Sequence, residues 1–305
     1  MTSDVWSLGS SKCPHCSSLR LTKFEAIAHD GRLGDRVAIA ECVNCQLAWQ
    51  AGPARSAAES VAHFERAYRP TLSEPSGYFA TEHKAGIVSL ELDFLATLIA
   101  AGKRLIDIGG GSGAFAVAAA RRGWVASAVD PALDIGSLEN SAVQGYRGLL
   151  SQVPNSEQFD IATIWDVIEH VEEPFEFLLD IRKRLCSGGF LVLSTGNYKS
   201  VDRLSAGKQH WMYQLDHRWY FSPESIGRLL SLTGFEVVDS CKRVLRPGWS
   251  GGEFHEGPTV RSLLTGILKN PINVMDVVGR FNSLRKARLW PQSGLVIFKI
   301  IARVT

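Results

Sequence analysis

Long apolar runs are missing from this chain. Nowhere in its 305 residues does an uninterrupted hydrophobic stretch approach the roughly 18–20 residues that cross a bilayer, so no membrane span is expected. The N-terminus, Met-Thr-Ser-Asp-Val-Trp, lacks a basic start followed by an apolar stretch, which argues against a secretory signal and for a cytoplasmic protein. An excess of charge is missing too. Thirty-three Lys and Arg stand against 31 Asp and Glu, and a net charge of +2 exerts little pull toward nucleic acid or anionic lipid. Hydrophobic content of 45% with 21% charged residues is that of an ordinary globular protein, and the length suits one large domain with a small one.

The most informative unit is Leu105-Ile-Asp-Ile-Gly-Gly-Gly-Ser-Gly113. A β-branched run ends in an acid, turns through four glycines and enters an alanine-rich helix, Ala114–Arg122. A second apolar run, Trp124 to Val129, ends at Asp130, where a carboxylate can accept two hydrogen bonds from a ribose diol. Two cofactors fit this pattern. Gly109-x-Gly111-x-x-Ala114 matches the nicotinamide-dinucleotide fingerprint, which brings a pyrophosphate to a helix N-terminus. Asp107 would repel that diphosphate; it suits the ammonium and sulfonium of S-adenosylmethionine, which is therefore preferred. A ligand-free turn is the remaining alternative.

Cysteine is scarce, six in all, yet four fall in two pairs, Cys13-Pro-His-Cys16 and Cys42-Val-Asn-Cys45. Two knuckles flanking short strands at Leu19–Ala28 and Val37–Glu41 suit a tetrahedral four-thiolate zinc site, a zinc ribbon. His15 then falls outside the shell. Two disulfides are the alternative, and they need an oxidising compartment that nothing else in the chain indicates.

Downstream, Phe159–Ile164 reads as a buried strand leading into Trp165-Asp-Val-Ile-Glu-His170. Pro174 opens a helix with Phe175, Leu178, Leu179 and Leu185 on one face, Ser187-Gly-Gly189 ends it, and Phe190–Leu193 is another strand. This order resembles the class I S-adenosylmethionine-dependent methyltransferases over residues 105–195: an acid-glycine loop, an acid after the second strand, a "DVIEH"-like segment after the fourth, a Gly-Gly turn before the fifth. The resemblance implies an α/β, Rossmann-like seven-stranded sheet, its last strand antiparallel and inserted beside the fifth. It places Asp107, Gly109, Gly110, Gly111 and Gly113 in the cofactor loop, Asp130 at the ribose and Asp166 near the reactive methyl. The acid that many relatives carry after the third strand is absent here. Gly148-Leu-Leu-Ser-Gln152 stands in its place, leaving adenine to Leu149, Leu150, Ser151 or backbone groups.

Methyl transfer needs a collinear donor and acceptor, exclusion of water and a base for the acceptor proton. Histidine has the suitable intrinsic pKa. His170 stands beside Glu169 at the rim where open sheets bind ligands. His217 lies in the aromatic, polar segment His210–Phe221 and is the favoured base, oriented by Asp216 or a backbone group, with His170 second and His210 third. A purely structural role for these histidines stays open. Trp211, Tyr213, Trp219 and Tyr220 are candidates to stack on the acceptor or to cover the cofactor. The acid-His-x-x-x-Phe-Ser segment resembles bacterial methyltransferases that carry an N-terminal zinc ribbon, extending the resemblance over roughly residues 10–240. Those relatives often have glycine after each knuckle's second cysteine; Ser17 and Gln46 stand there here and would relax the knuckle turn.

The expected layout is a ribbon over residues 1–50, a linker with one short helix near Ala57–Tyr68 over 51–80, and a methyltransferase domain over 81–305. That domain includes a helical insertion at about 255–290 before a final strand, Gly294–Arg303. Tyr78, just before a helix over Glu82–Ala100, is a weak candidate to cover the cofactor. The expected acceptor is a small molecule: a sugar nucleotide, a glycan intermediate or a secondary metabolite. Three alternatives remain: an RNA methyltransferase gripping its substrate with the ribbon, a nicotinamide-dependent enzyme, and a scaffold with a degenerate cofactor pocket.

Overall fold

The computed structural model describes residues 11–29, 35–73, 82–99, 103–139, 141–241, 243–244, 255–256 and 297–305. Tyr78, the loop at 246–252 and nearly all of the expected insertion lie outside the described residues.

The chain opens with a small antiparallel sheet, β1 (Leu21–Ile27), β2 (Arg36–Cys42) and β3 (Ala48–Gln50). Helix α1 (Ala57–Ser73) runs one turn past the expected Tyr68, and its start is closed by a reciprocal cap. Ser56 N–H donates to Glu59 Oε2 at 2.8 Å, and Glu59 N–H donates to Ser56 Oγ at 3.3 Å. Helix α2 (Glu82–Leu98) buries Leu92 and Leu95, and the Glu91 carboxylate pairs with the Lys299 ammonium on the last strand. Among the described residues no helix is long and apolar enough to cross a membrane.

Next come β4 (Arg104–Ile108), α3 (Ala114–Arg121), β5 (Val125–Asp130), β6 (Val143–Arg147), β7 (Phe159–Trp165), α4 (Pro174–Arg184) and β8 (Leu185–Gly196). Helix α5 (Val201–Ala206), β9 (Trp219–Tyr220), α6 (Pro223–Leu232), β10 (Phe235–Cys241), the hairpin β11 (Arg243–Val244) with β12 (His255–Glu256), and β13 (Ile297–Val304) follow among the described residues. Of the expected insertion only His255 and Glu256 are described, as β12.

Seven strands form the main sheet in the order β10-β13-β8-β7-β4-β5-β6. The five strands from β8 to β6 are parallel, while β13 lies antiparallel between β8 and β10, the arrangement expected of the seventh strand. Parallel strands are covered on both faces, hence the continuous apolar runs; Leu105, Ile106 and Ile108 of β4 are all buried. The strand order reverses between β4 and β7, which opens a crevice at their carboxyl ends where such sheets take ligands.

The expected stop at Ser187-Gly-Gly189 differs in detail. Backbone pairing resumes directly after α4 at Leu185, and the three residues form an excursion in β8: Phe159 faces Leu185 while Ile161 faces Phe190. Helix α6 begins as read, with Ser222 and Ser225 capping each other and Pro223 in the first turn.

The ribbon's sheet has a fourth strand, and it comes from the catalytic part of the chain. β9 pairs with β3 through Ala48 opposite Tyr220 and Trp49 opposite Trp219. Cys13, Cys42, Leu47 and Trp49 belong to the same apolar core as β7, β8, α4 and α6.

Candidate active site and cysteine centre

The glycine loop is assembled mainly by backbone geometry. Gly109 has φ +74°, and a Cβ there would sit 2.4 Å from Val167 Cγ2, so the loop closes against the segment after β7 only without a side chain. Gly113, at φ +79°, starts α3. Gly109 N–H donates to Val129 O at 2.8 Å, and Gly111 N–H donates to Asp130 Oδ2 at 3.0 Å. Asp130 also accepts from Ala132 N at 2.6 Å, so its carboxylate is aimed from two sides at the end of β5.

Asp107 lies 1% exposed beneath Gly110 and accepts a hydrogen bond from Thr163 Oγ1 at 2.8 Å. Burial pushes its carboxyl up to about 7, against the pull of that hydrogen bond. Leu149 and Leu150 stand past β6, Leu150 buried, at the start of a 3₁₀ turn over Leu150–Gln152. Asp166 takes the left-handed backbone at φ 54°, a conformation a non-glycine residue adopts at a cost, and Ser194 Oγ donates to its Oδ1 at 2.9 Å.

A second constellation lies beyond Asp166. His170 and His217 stack edge to face with ring centroids 4.7 Å apart. His217 is buried, and its Nδ1 donates to Met212 O at 2.8 Å; a carbonyl only accepts, so the proton sits on Nδ1 and Nε2 carries the lone pair. The backbone group, and not Asp216, orients this ring. Burial, then the neighbouring His170, lowers His217 to about 3, so it stays neutral at physiological pH.

Asp216 turns to His170 instead: His170 Nδ1 lies 3.2 Å from Asp216 O and 3.5 Å from Asp216 Oδ2. Burial works to raise Asp216, yet His170, His217, the Tyr68 phenol and His63 together hold it below the usual carboxylate value. Tyr68 Oη donates to Asp216 Oδ2. Tyr68 and Phe64 also lay ring edges on His170 at 6.2 and 6.1 Å. Helix α1, read as linker, is a wall of this site. The i, i+4 spacing of Phe64 and Tyr68 puts both rings on one helical face, without naming what they meet.

Glu169 is buried with Oε2 lacking a hydrogen-bond partner, and burial together with Asp166 pushes its carboxyl well above the ordinary value. Glu169, His170 and His217 each offer one ligand atom within 4.8 Å of the others, a set able to hold a divalent cation. His210 sits apart from this group, buried, its Nδ1 accepting from Met212 N at 3.2 Å.

The expected aromatic lid is otherwise employed. Tyr213, Trp219 and Tyr220 are at most 1% exposed and pack into the ribbon boundary, Trp219 against Trp49 and Tyr213 against Phe24. They are core there, because β9 joins the ribbon sheet. Trp211 alone of the four is exposed.

Cys13, Cys16, Cys42 and Cys45 place four sulfurs within 4.8 Å of one another. The pairs Cys13–Cys45 and Cys16–Cys42 stand 3.4 and 3.5 Å apart, far beyond a disulfide bond and near the edge of about 3.8 Å that tetrahedral zinc–thiolate bonds dictate. The knuckle turns are not relaxed. Ser17 and Gln46 hold φ 60° and 61°, the left-handed conformation glycine would take, and their N–H groups close back on Cys13 O and Cys42 O at 2.8 Å.

Comparison with known proteins bears on this geometry. A family model described as a methyltransferase domain matches residues 81–240. A ubiquinone biosynthesis O-methyltransferase of Dinoroseobacter shibae is 30% identical over 202 residues, 57% of this chain and 81% of that protein. Its counterpart in Roseobacter denitrificans is 30% identical over 49% of this chain and 66% of its own length. Among solved structures, the Burkholderia thailandensis 1,6-didemethyltoxoflavin-N1-methyltransferase, which holds S-adenosylhomocysteine, superposes with a TM-score of 0.54 at 16% identity, covering 86% of this chain and 97% of that one. With that match over half its length, and with the class I strand order in its sheet, this chain belongs to the methyltransferase-domain family and is an S-adenosylmethionine-dependent methyltransferase.

Proposed function

We propose that the enzyme transfers the methyl group of S-adenosylmethionine to a hydroxyl of a small acceptor, with His170 as the general base. The observation that carries this is the pairing of His170 with Asp216 beside the end of β7, next to Asp166. In the transfer the acceptor oxygen forms a bond to the methyl carbon as the carbon–sulfur bond breaks. S-adenosylhomocysteine leaves, and the acceptor proton passes to His170 Nε2. Asp216 stabilises the imidazolium that results. Neutral His217 positions the hydroxyl.

In the cofactor site Asp107 faces the ammonium end, Asp130 takes the ribose hydroxyls, and Leu149 with Leu150 packs on adenine. Gly109, Gly110, Gly111 and Gly113 let the cofactor approach the backbone. The four cysteines hold a structural zinc ion. The acceptor class remains that expected from the sequence: a sugar nucleotide, a glycan intermediate or a secondary metabolite. The O-methyltransferase names of the relatives support a hydroxyl as the attacked group.

A labelled methyl-transfer screen over nucleotide sugars, small phenols and total RNA, with His170→Gln alongside, tests the reading. Transfer to a small hydroxyl compound that collapses in His170→Gln is the expected result. Transfer to RNA alone, with affinity falling steeply as salt rises, would replace it. The convergence of Glu169, His170 and His217 favours one second reading, a divalent cation that binds the acceptor oxygens. A rate unaffected by exhaustive chelation removes that reading.

A further inference from the structure

The zinc ribbon is the one motif the chemistry above leaves without a task, and its contacts point to one. Among the described residues, several of its hydrogen bonds to the catalytic part fall on the stretch from Gln209 to Tyr220, beside one from Tyr198 Oη to Glu41 Oε2 at 2.9 Å. At one end, His29 N–H donates to Tyr213 O at 2.9 Å, and the His29 ring donates to Gln209 O at 2.8 Å. At the other end, Gln50 N–H donates to Arg218 O at 2.8 Å and Gln50 Nε2 donates to Leu215 O at 3.2 Å. The Arg218 guanidinium returns two bonds, to Gln50 Oε1 and to Pro53 O. Trp49 and Ala48 carry β9 as the ribbon's fourth strand. The first clamp encloses Met212, whose carbonyl orients His217, and the second encloses Asp216, which faces His170. The glycine loop, by contrast, takes its hydrogen bonds from Val129 and Asp130 of the main sheet.

We infer that the ribbon is a positioning module for the acceptor end of the active site, with His29 and Gln50 as its positioning residues and the four-cysteine centre as the lock that keeps them in register. This rests on reading residues 209–220 as the acceptor side. The physical case is one of local stability. The segment carries turns, bends and a two-residue strand in place of long regular elements, and it must hold His217 and Asp216 in a fixed geometry. The strands that hold it, β1 to β3, are themselves short, and closure of Cys13, Cys16, Cys42 and Cys45 on one ion fixes both of their knuckles. Cofactor binding needs none of these ties.

The test needs no acceptor. The full-length zinc-loaded protein, the same protein after chelation, and a His29→Ala/Gln50→Leu double variant that keeps its zinc are compared in two measurements. Backbone hydrogen exchange is followed in residues 209–220 and 105–113, and S-adenosylhomocysteine binding is measured by calorimetry. The expected result is exchange about tenfold faster in 209–220 for both the chelated protein and the double variant, with the glycine loop unchanged and the dissociation constant moved by less than about twofold. Unchanged exchange in 209–220 after zinc removal overturns the inference. So does equal acceleration in 105–113 with loss of binding, which would make the ribbon a general support of the fold. Failure of His170→Gln to slow transfer would sink the base assignment and leave this result standing.

Discussion

The two ends of the proposed active site are built in opposite ways. The cofactor end is nearly continuous in sequence: β4, the glycine loop and α3 form one run, and Asp130 at the end of the next strand closes it through Gly111 N–H. The acceptor end draws Tyr68 from α1, Glu169 and His170 from the turn after β7, and Asp216 and His217 from a loop that the ribbon holds. One end depends on backbone shape, the other on side chains brought together over long sequence separations. The first is therefore expected to tolerate acceptor-side damage, and the second to tolerate damage to neither its loop nor its clamp.

The sharpest way to separate the ends is His170→Gln. Removal of a general base costs about 10²–10⁴-fold in rate, and the expectation is a fall in kcat of that order with S-adenosylhomocysteine affinity unchanged. Steady-state kinetics on the acceptor found by the screen, with calorimetry, reads both. Retained kcat would mean that proximity alone suffices at the acceptor end.

Gly109→Ala attacks the other end. Its φ of +74° and the 2.4 Å approach of a Cβ to Val167 Cγ2 impose a strain on the order of 1–3 kcal/mol. Cofactor affinity should fall about tenfold or more, while the exchange behaviour of residues 209–220 stays put. A variant that binds as tightly as the parent would show that Val167 yields and that the loop is less rigid than its geometry indicates.

How much could be read beforehand follows from the same contrast. The glycine turn and the acids on β4 and at the end of β5 are legible because strand, turn and helix follow one another in the chain. The seven-stranded sheet, with β13 as the antiparallel insertion, is the arrangement the family resemblance implies. Tyr68 was not legible, because nothing local to α1 says that its phenol meets Asp216 across 148 residues. The aromatic segment misled for a related reason. Tyr213, Trp219 and Tyr220 look like ligand-facing rings until β9 is seen to pair with β3, which turns them inward. Even the pairing of Asp216 with His170 rather than with its sequence neighbour His217 is a tertiary choice.

Asp107 adds a pH test of the cofactor end. Burial raises its carboxyl to about 7, so the folded chain keeps this proton to a higher pH than the ordinary value of 3.8. Stability from this group is therefore full below about 3.8 and lost as pH rises through about 7. A cationic cofactor favours the ionised form, so S-adenosylmethionine affinity should climb with pH up to about 7, by at most about tenfold per unit, and then level. Asp107→Asn should flatten that climb. An unaltered profile in the variant would mean that the carboxylate does not feel the cofactor's charge.

The smallest expected effect belongs to Tyr68→Phe, and it probes the acceptor end where sequence was silent. The phenol donates to Asp216 Oδ2 and helps hold that carboxyl below its usual value, so its removal lets Asp216 take a proton more readily. A single hydrogen bond to a charged group contributes about 1.5–3 kcal/mol at most, and part of that returns through water at a half-buried site. We expect kcat to fall about three- to tenfold near neutrality and further at lower pH, with the acid limb of the pH–rate profile displaced upward. Cofactor affinity should not move. A purely structural role for Tyr68 would lower the rate equally at every pH. A displaced acid limb makes helix α1 part of the proton-handling machinery, and with it the acceptor end becomes a structure that three separate stretches of chain must agree to build.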